Sequence, residues 1–134
     1  MAGESIGTGR VGSRWFIDLE WFGQNNRSFF ALARGCLCPR CRERLTEGEI
    51  SSPDLLATIK DCCAKVPGFI NGNLTILESV FRLFLSNGDQ PLDLGELSRQ
   101  LSELRGGDIY AVLAEVLPRL LKDEQYYGIR QFPS

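Results

Sequence analysis

Five cysteines stand in two tight groups, Cys36-Leu37-Cys38-Pro39-Arg40-Cys41 and Cys62-Cys63. Two thiolates separated by two residues on a Cys-Pro-x-Cys turn point the same way, and proline fixes the turn. The amides that follow can donate to the sulfurs. A second pair of ligands must come from elsewhere, and Cys62-Cys63 is the other source of thiols. The spacer between Cys41 and Cys62 is of the length found between the halves of four-cysteine metal sites. Four thiolates around one Zn²⁺ ion close its tetrahedron, so such a site is structural. The chain contains no histidine. That excludes Ser-His-Asp triads, Cys-His pairs and imidazole-ligated metals within this chain.

The Cys-Pro-x-Cys segment resembles the knuckles of zinc ribbons. The candidate ligands are Cys36, Cys38, Cys41, Cys62 and Cys63. Adjacent cysteines on one helix diverge by about 100°, so Cys62 and Cys63 can both ligate only where the helix frays, which Pro67-Gly68 permits. The favoured set is Cys38, Cys41, Cys62 and either Cys36 or Cys63. An iron–sulfur cluster is the alternative occupant, since clusters are also held by four thiolates. Buried, metal-free thiols are a third reading. Arg34, Arg40, Arg42 and Arg44 flank the site; they offset its negative charge, or they contact a phosphate or a partner. No nucleophile–base pair is visible, so the chain reads as non-enzymatic. Asp18/Glu20 and Asp123/Glu124 read as solvated faces.

The chain that must position these groups has 134 residues, long enough for one domain or two very small ones. Hydrophobic residues make up 43% and charged residues 24%, which excludes disorder or low complexity for the bulk of it. The net charge of −2 is unevenly spread. Residues 1–45 hold seven arginines and no lysine against four acids, whereas residues 70–134 hold six bases and nine acids. Arginine suits planar contacts with phosphates, carboxylates and aromatic rings. No apolar run approaches the length of a membrane span, and no signal-peptide pattern opens the sequence. Cytoplasmic residence without membrane association is the expectation, and reduced thiols follow from it.

Residues 1–13 read as a flexible tail. They include Gly7-Thr8-Gly9-Arg10-Val11-Gly12, which matches a dinucleotide-binding pattern but lacks the preceding strand that pattern needs. Residues 14–22 alternate Trp15, Ile17, Leu19 and Trp21 against Asp18 and Glu20, a half-buried strand broken by Gly23. Residues 25–34 predict a helix capped by asparagine and ended by Gly35. Ser52-Pro53-Asp54 opens a helix over about 53–65. Residues 14–68 thus form the cysteine unit, and 69–73 a linker. Helices are predicted from 74 to Asn87-Gly88, over about 93–104 with an Asp93/Glu96 capping box, and over about 109–122 with an Asp108 cap and a kink at Pro118. Residues 125–132 predict a final strand. The fold class is mainly α (α+β): a small four-cysteine unit followed by a three-helix unit over 74–134.

The phrase LESVFRLFLSNGDQPLDLGELSRQL, continued by DIYAVLAEVLPRLLKDEQYYGIRQF, resembles a winged helix-turn-helix domain over about residues 74–132. The resemblance rests on Asn87-Gly88 and Pro91-Leu92 before the second helix, on Leu94-x-x-Leu97, and on a last helix running into Tyr126-Tyr127. It implies DNA binding and transcription regulation, with the third helix in the major groove. That helix would present Asp108, Tyr110, Glu115, Arg119 and Lys122. Its two acids repel phosphates, a departure that favours docking on protein. Tyr126, Tyr127 and Arg130 would form the wing and touch nucleic acid or a partner. The reading is a small metal-binding regulator or adaptor docking on protein or nucleic acid. Its alternatives are an iron–sulfur redox-sensing transcription regulator and a helical protein-interaction domain without metal. Nothing in the sequence sets the oligomeric state.

Overall fold

The computed structural model describes residues 13–132. Most of the predicted tail, with its glycine pattern, lies outside the described residues. Strand β1 (Arg14–Ile17) leads into four helices, α1 (Leu19–Gln24), α2 (Phe29–Arg34), α3 (Pro39–Arg44) and α4 (Ser52–Asp61), and a 3-10 turn at Cys63–Lys65. Then come α5 (Ile76–Ser86), β2 (Leu92–Asp93), α6 (Leu94–Arg105), α7 (Tyr110–Lys122) and β3 (Ile129–Gln131). The protein is mainly helical with a small antiparallel sheet, as its sequence predicts.

β1 ends earlier than the alternation of residues 14–22 suggests. Asp18 takes an extended backbone and its carboxylate accepts the Glu20 amide at 3.1 Å, starting α1 at Leu19. A side-chain cap thus outweighs the two-residue periodicity. Gly23 lies inside that helix rather than breaking it. The following helix begins at Phe29 rather than at Asn25, because Ser28 caps it through the Ala31 amide at 3.0 Å. Asn25 instead closes α1. α4 starts one residue early, capped by Ser51 through the Asp54 amide at 3.2 Å. Farther on, Asp93 caps α6 through the Glu96 amide at 2.8 Å, as the capping-box spacing predicts. Asp108 does not cap α7: that helix starts at Tyr110 after Ile109, with no side-chain cap.

The strand order is β2-β1-β3. β1 pairs Trp15 with Leu92 on one edge and Trp15 with Gln131, Phe16 with Arg130 and Ile17 with Ile129 on the other. A strand from the cysteine-bearing part is therefore the centre of a sheet whose edges come from the helical part. The apolar faces of the helices close over this sheet. Phe81 and Phe84 of α5, Leu97 and Leu101 of α6, and Leu113, Leu117 and Leu121 of α7 are essentially fully buried. Ile17, Phe22, Phe29, Leu55 and Ile59 join the same core cluster. No helix among the described residues is long and apolar enough to cross a membrane.

Two polar groups lock the sheet in place. Asp89 follows α5 in the left-handed region at φ 62°, and its carboxylate accepts the Ile17 amide at 2.8 Å. Glu124 sits at the end of α7 with a relative exposure of 4%. Its carboxylate accepts the amides of Tyr126 and Tyr127 and, at 2.9 Å, that of Ile129. Far from a solvated face, Glu124 is the keystone of the turn into β3. Asp18 likewise serves as a cap rather than as surface charge.

Candidate metal centre

The thiols are gathered by two local structures. Cys38 is the residue before α3, with Pro39 opening the helix and Cys41 one turn inside it. This places both thiols at one end of a short helix. The other pair sits where α4 stops: Cys62 leaves helical geometry at φ −126°, ψ −69°, and Cys63 begins the 3-10 turn. That break turns two adjacent side chains, divergent on a regular helix, toward one point. The requirement that the helix fray at this pair is met.

Among the described residues, Cys38, Cys41, Cys62 and Cys63 form a group whose Sγ atoms all lie within 4.8 Å of one another. Cys38 and Cys62 are 3.8 Å apart, Cys41 and Cys62 3.6 Å, and Cys38 and Cys63 3.5 Å. A tetrahedron with Zn–S bonds of about 2.3 Å has edges of about 3.8 Å. The donor set and its spacing fit one tetrahedral ion, and the four could bind a metal such as zinc. Cys36 stands outside the group. It is buried in the apolar core, and that burial pushes its thiol up to about 11.

Surrounding donors already favour thiolate at one corner. The Cys41 amide and the Cys63 thiol hydrogen-bond to Cys38 and bring its pKa down to about 7. Burial instead pushes Cys63 up to about 12, although the Cys38 amide donates to its sulfur at 3.2 Å. The Cys62 thiol is raised by its hydrogen bonds to Cys41 and then Cys38. These opposing shifts express four thiols crowded together; a cation among them would favour the deprotonated form of each. Arg44 reaches inward, its guanidinium donating to Cys41 Sγ at 3.7 Å. Arg42 donates to the Arg34 carbonyl at 3.4 Å and ties α3 to the end of α2. Arg34, Arg40, Arg42 and Arg44 are all exposed.

The remaining residues singled out from sequence are distributed elsewhere. Arg119 and Lys122 are exposed on the last turns of α7. Tyr126 is 52% exposed and Tyr127 is partly buried, packed 5.2 Å from Phe81 between ring centroids. Arg130 is engaged internally. It donates to the Glu124 carbonyl at 2.7 Å and lies 4.8 Å over the Trp21 ring. Sequence reasoning overlooked Arg27, whose guanidinium stacks 5.1 Å from the Tyr126 ring centroid and 6.0 Å from that of Trp21. Only its place in an arginine-rich stretch could have drawn attention to it.

Comparison with protein-family models, with curated proteins and with solved structures finds no match to this chain.

Proposed function

We propose that this protein is a small, non-enzymatic regulator or adaptor, stabilised by one structural zinc ion and carrying a winged-helix-like docking module. The observation that carries the reading is the spacing of the four sulfurs, all within 4.8 Å of one another. Zinc with four thiolates has no open position for substrate, and its binding energy becomes folding energy. The site joins α3 to the end of α4, two short elements that make little core alone. A metal-crosslinked scaffold is the natural use of such an arrangement. An iron–sulfur cluster spreads its thiolates over several irons. Its ligands would stand farther apart than those of a single ion, so the spacing favours zinc over the redox-sensing alternative.

The docking module is supported by the order helix, strand, helix, helix, strand over residues 76–131. The outer side of α7 is exposed at Tyr110, Val112, Glu115 and Arg119. This mixture of apolar, acidic and basic groups lacks the basic stripe that reads DNA phosphates. It suits a protein partner better than the major groove. The lack of histidine and of any nucleophile–base pair supports a non-catalytic role.

Elemental analysis and an absorption spectrum of protein purified anaerobically without a histidine tag test the metal. One zinc per chain in a colourless solution is expected. Iron with sulfide and a visible band would overturn the zinc assignment in favour of the cluster. Protein that is folded and free of metal would overturn both.

A further inference from the structure

A groove lies between α2 and the turn into β3. One part, about 300 Å³, is lined by Phe22, Arg27, Ser28, Leu32 and Tyr126. A second part, about 170 Å³, continues past Leu32 and Tyr126 to Gly35, Tyr127 and Glu78, whose carboxylate is paired with Arg82 at 2.8 Å. Tyr126 stands where the two parts meet, and it keeps 52% of its surface in water. The neighbouring Tyr127 ring meets it edge to face at 4.9 Å, and Arg27 stacks at 5.1 Å, so the ring is held rather than free to swing.

Arg27 lines the groove, and Arg34 and Arg42 lie beyond its Gly35 end. Arg27 lies two residues before α2, and Arg34 is its last residue. Arg42 is pinned to the Arg34 carbonyl at 3.4 Å. All three are exposed, and no carboxylate pairs with any of them among the described residues. From residue 27 to residue 44 the chain has five arginines against the single acid Glu43. Glu47 is a second acid in this region, its carboxylate accepting the Ser28 hydroxyl at 2.6 Å. Unpaired arginines beside a braced, half-exposed tyrosine are the two parts of a single-strand site: cations for the backbone and an aromatic ring for a base.

We propose that this groove binds a single-stranded nucleic acid, with a base stacked at Tyr126 and phosphates on Arg27, Arg34 and Arg42. The inference rests on the reading of this chain as a metal-stabilised docking module and names a partner and a surface for it. A duplex keeps its bases stacked inside and offers none to the Tyr126 ring, so single strands bind better. An acidic protein segment would use the arginines but gain nothing from the ring.

The test is fluorescence anisotropy of the intact metal-loaded protein with a labelled oligouridylate of about 12 nucleotides. A duplex of equal length and polyglutamate serve as competitors. Three phosphate contacts predict a slope of about −2 in log affinity against log salt, and Arg34→Gln or Arg42→Gln reduces its magnitude by about 0.7 each. Tyr126→Ala weakens binding by about 5- to 100-fold at unchanged salt slope. Metal content and thermal midpoint are measured on every variant, and Tyr126→Leu serves if Tyr126→Ala loses stability. Equal competition by polyglutamate, with no effect of Tyr126, overturns the proposal in favour of an acidic protein partner. No binding by protein that retains one zinc and its fold overturns the groove assignment while leaving the proposed function intact. Protein lacking metal but binding the oligonucleotide with this salt and tyrosine dependence upholds the groove and overturns the zinc reading.

Discussion

The Cys38 amide donates to Cys63 Sγ at 3.2 Å, joining the two cysteine pairs through a contact between residues 25 positions apart. Cys63 is thus both a candidate ligand and the sulfur that fixes the start of α3. Its neighbour Cys62 lies within 3.8 Å of both sulfurs of the first pair. The cluster is knit in both directions, so no corner is dispensable.

Cys63→Ser is therefore expected to lose the metal and unfold the cysteine-bearing part. Structural zinc contributes roughly 10–16 kcal/mol in small domains, comparable with or larger than the ~5–15 kcal/mol that separates folded from unfolded protein. Cys36→Ser keeps one metal per chain, because Cys36 lies outside the group, and loses at most about 1–2 kcal/mol from its buried position. Metal content and thermal unfolding of the two variants read the contrast. Equal metal loss in both would refute the ligand set.

Asp89 gives a pH signature. Burial raises its carboxyl from 3.8 to about 7 against the opposing effect of the Ile17 amide. The folded protein therefore holds this proton more tightly than the unfolded chain does. The resulting stability is present below about pH 4 and is lost as pH rises toward 7. Asp89→Asn keeps an acceptor for Ile17 and tolerates the left-handed backbone. It is expected to stabilise the protein at pH 8 by about 1–2 kcal/mol and to do little at about pH 4, less than full linkage because the group is only half-buried. Denaturant midpoints of both proteins at the two pH values measure the difference. A variant less stable at pH 8 would contradict this account.

At Gly128, φ is +69°, and an added Cβ would stand 2.6 Å from Cε2 and 2.9 Å from Cζ of Phe22. Phe22 is buried among Trp21 and Phe29 and cannot retreat freely. Gly128→Ala combines a left-handed backbone penalty with overpacking, together about 2–5 kcal/mol. Calorimetry or chemical unfolding would show it, and an alanine variant as stable as the parent would disprove the close approach.

Glu124→Ala leaves the amides of Tyr126, Tyr127 and Ile129 without their acceptor and removes the partner 3.6 Å from Arg130. A loss of about 3 kcal/mol or more is expected. Glu124→Gln keeps one acceptor oxygen and should recover part of it. Amide hydrogen exchange at residues 126–129 would rise sharply in the alanine variant, and unchanged protection there would argue against the role.

What the sequence made legible was local. Asp93 with Glu96 marked a helix start that the structure reproduces, since the capping bonds involve only neighbours. The leucine and phenylalanine spacing from Leu77 to Leu85 marked α5 for the same reason. Cys-Pro-x-Cys and Cys62-Cys63 pointed to the four-thiol group. The choice between Cys36 and Cys63 was not readable, because it depends on α4 ending at Asp61 and on where the core places Leu37 and Cys36. Residues 18–28 misled in the other direction. The alternation over residues 14–22 suits a strand, yet Asp18 caps a short helix from Leu19, and the helix expected from Asn25 is capped by Ser28 instead. Glu124 was hidden because two adjacent acids look solvated until Gly128 turns three amides onto one of them.

The position of β1 between β2 and β3 also bears on synthesis. Residues 14–17 are translated more than seventy residues before β2 at Leu92–Asp93 and more than a hundred before β3 at Ile129–Gln131. The nascent chain thus carries its central strand with both edges unpaired while five helices are made. Trp15 and Phe16 stand on that bare ribbon, which is the kind of edge that recruits other chains. The sheet can close on both edges of β1 only after Ile129 has been made.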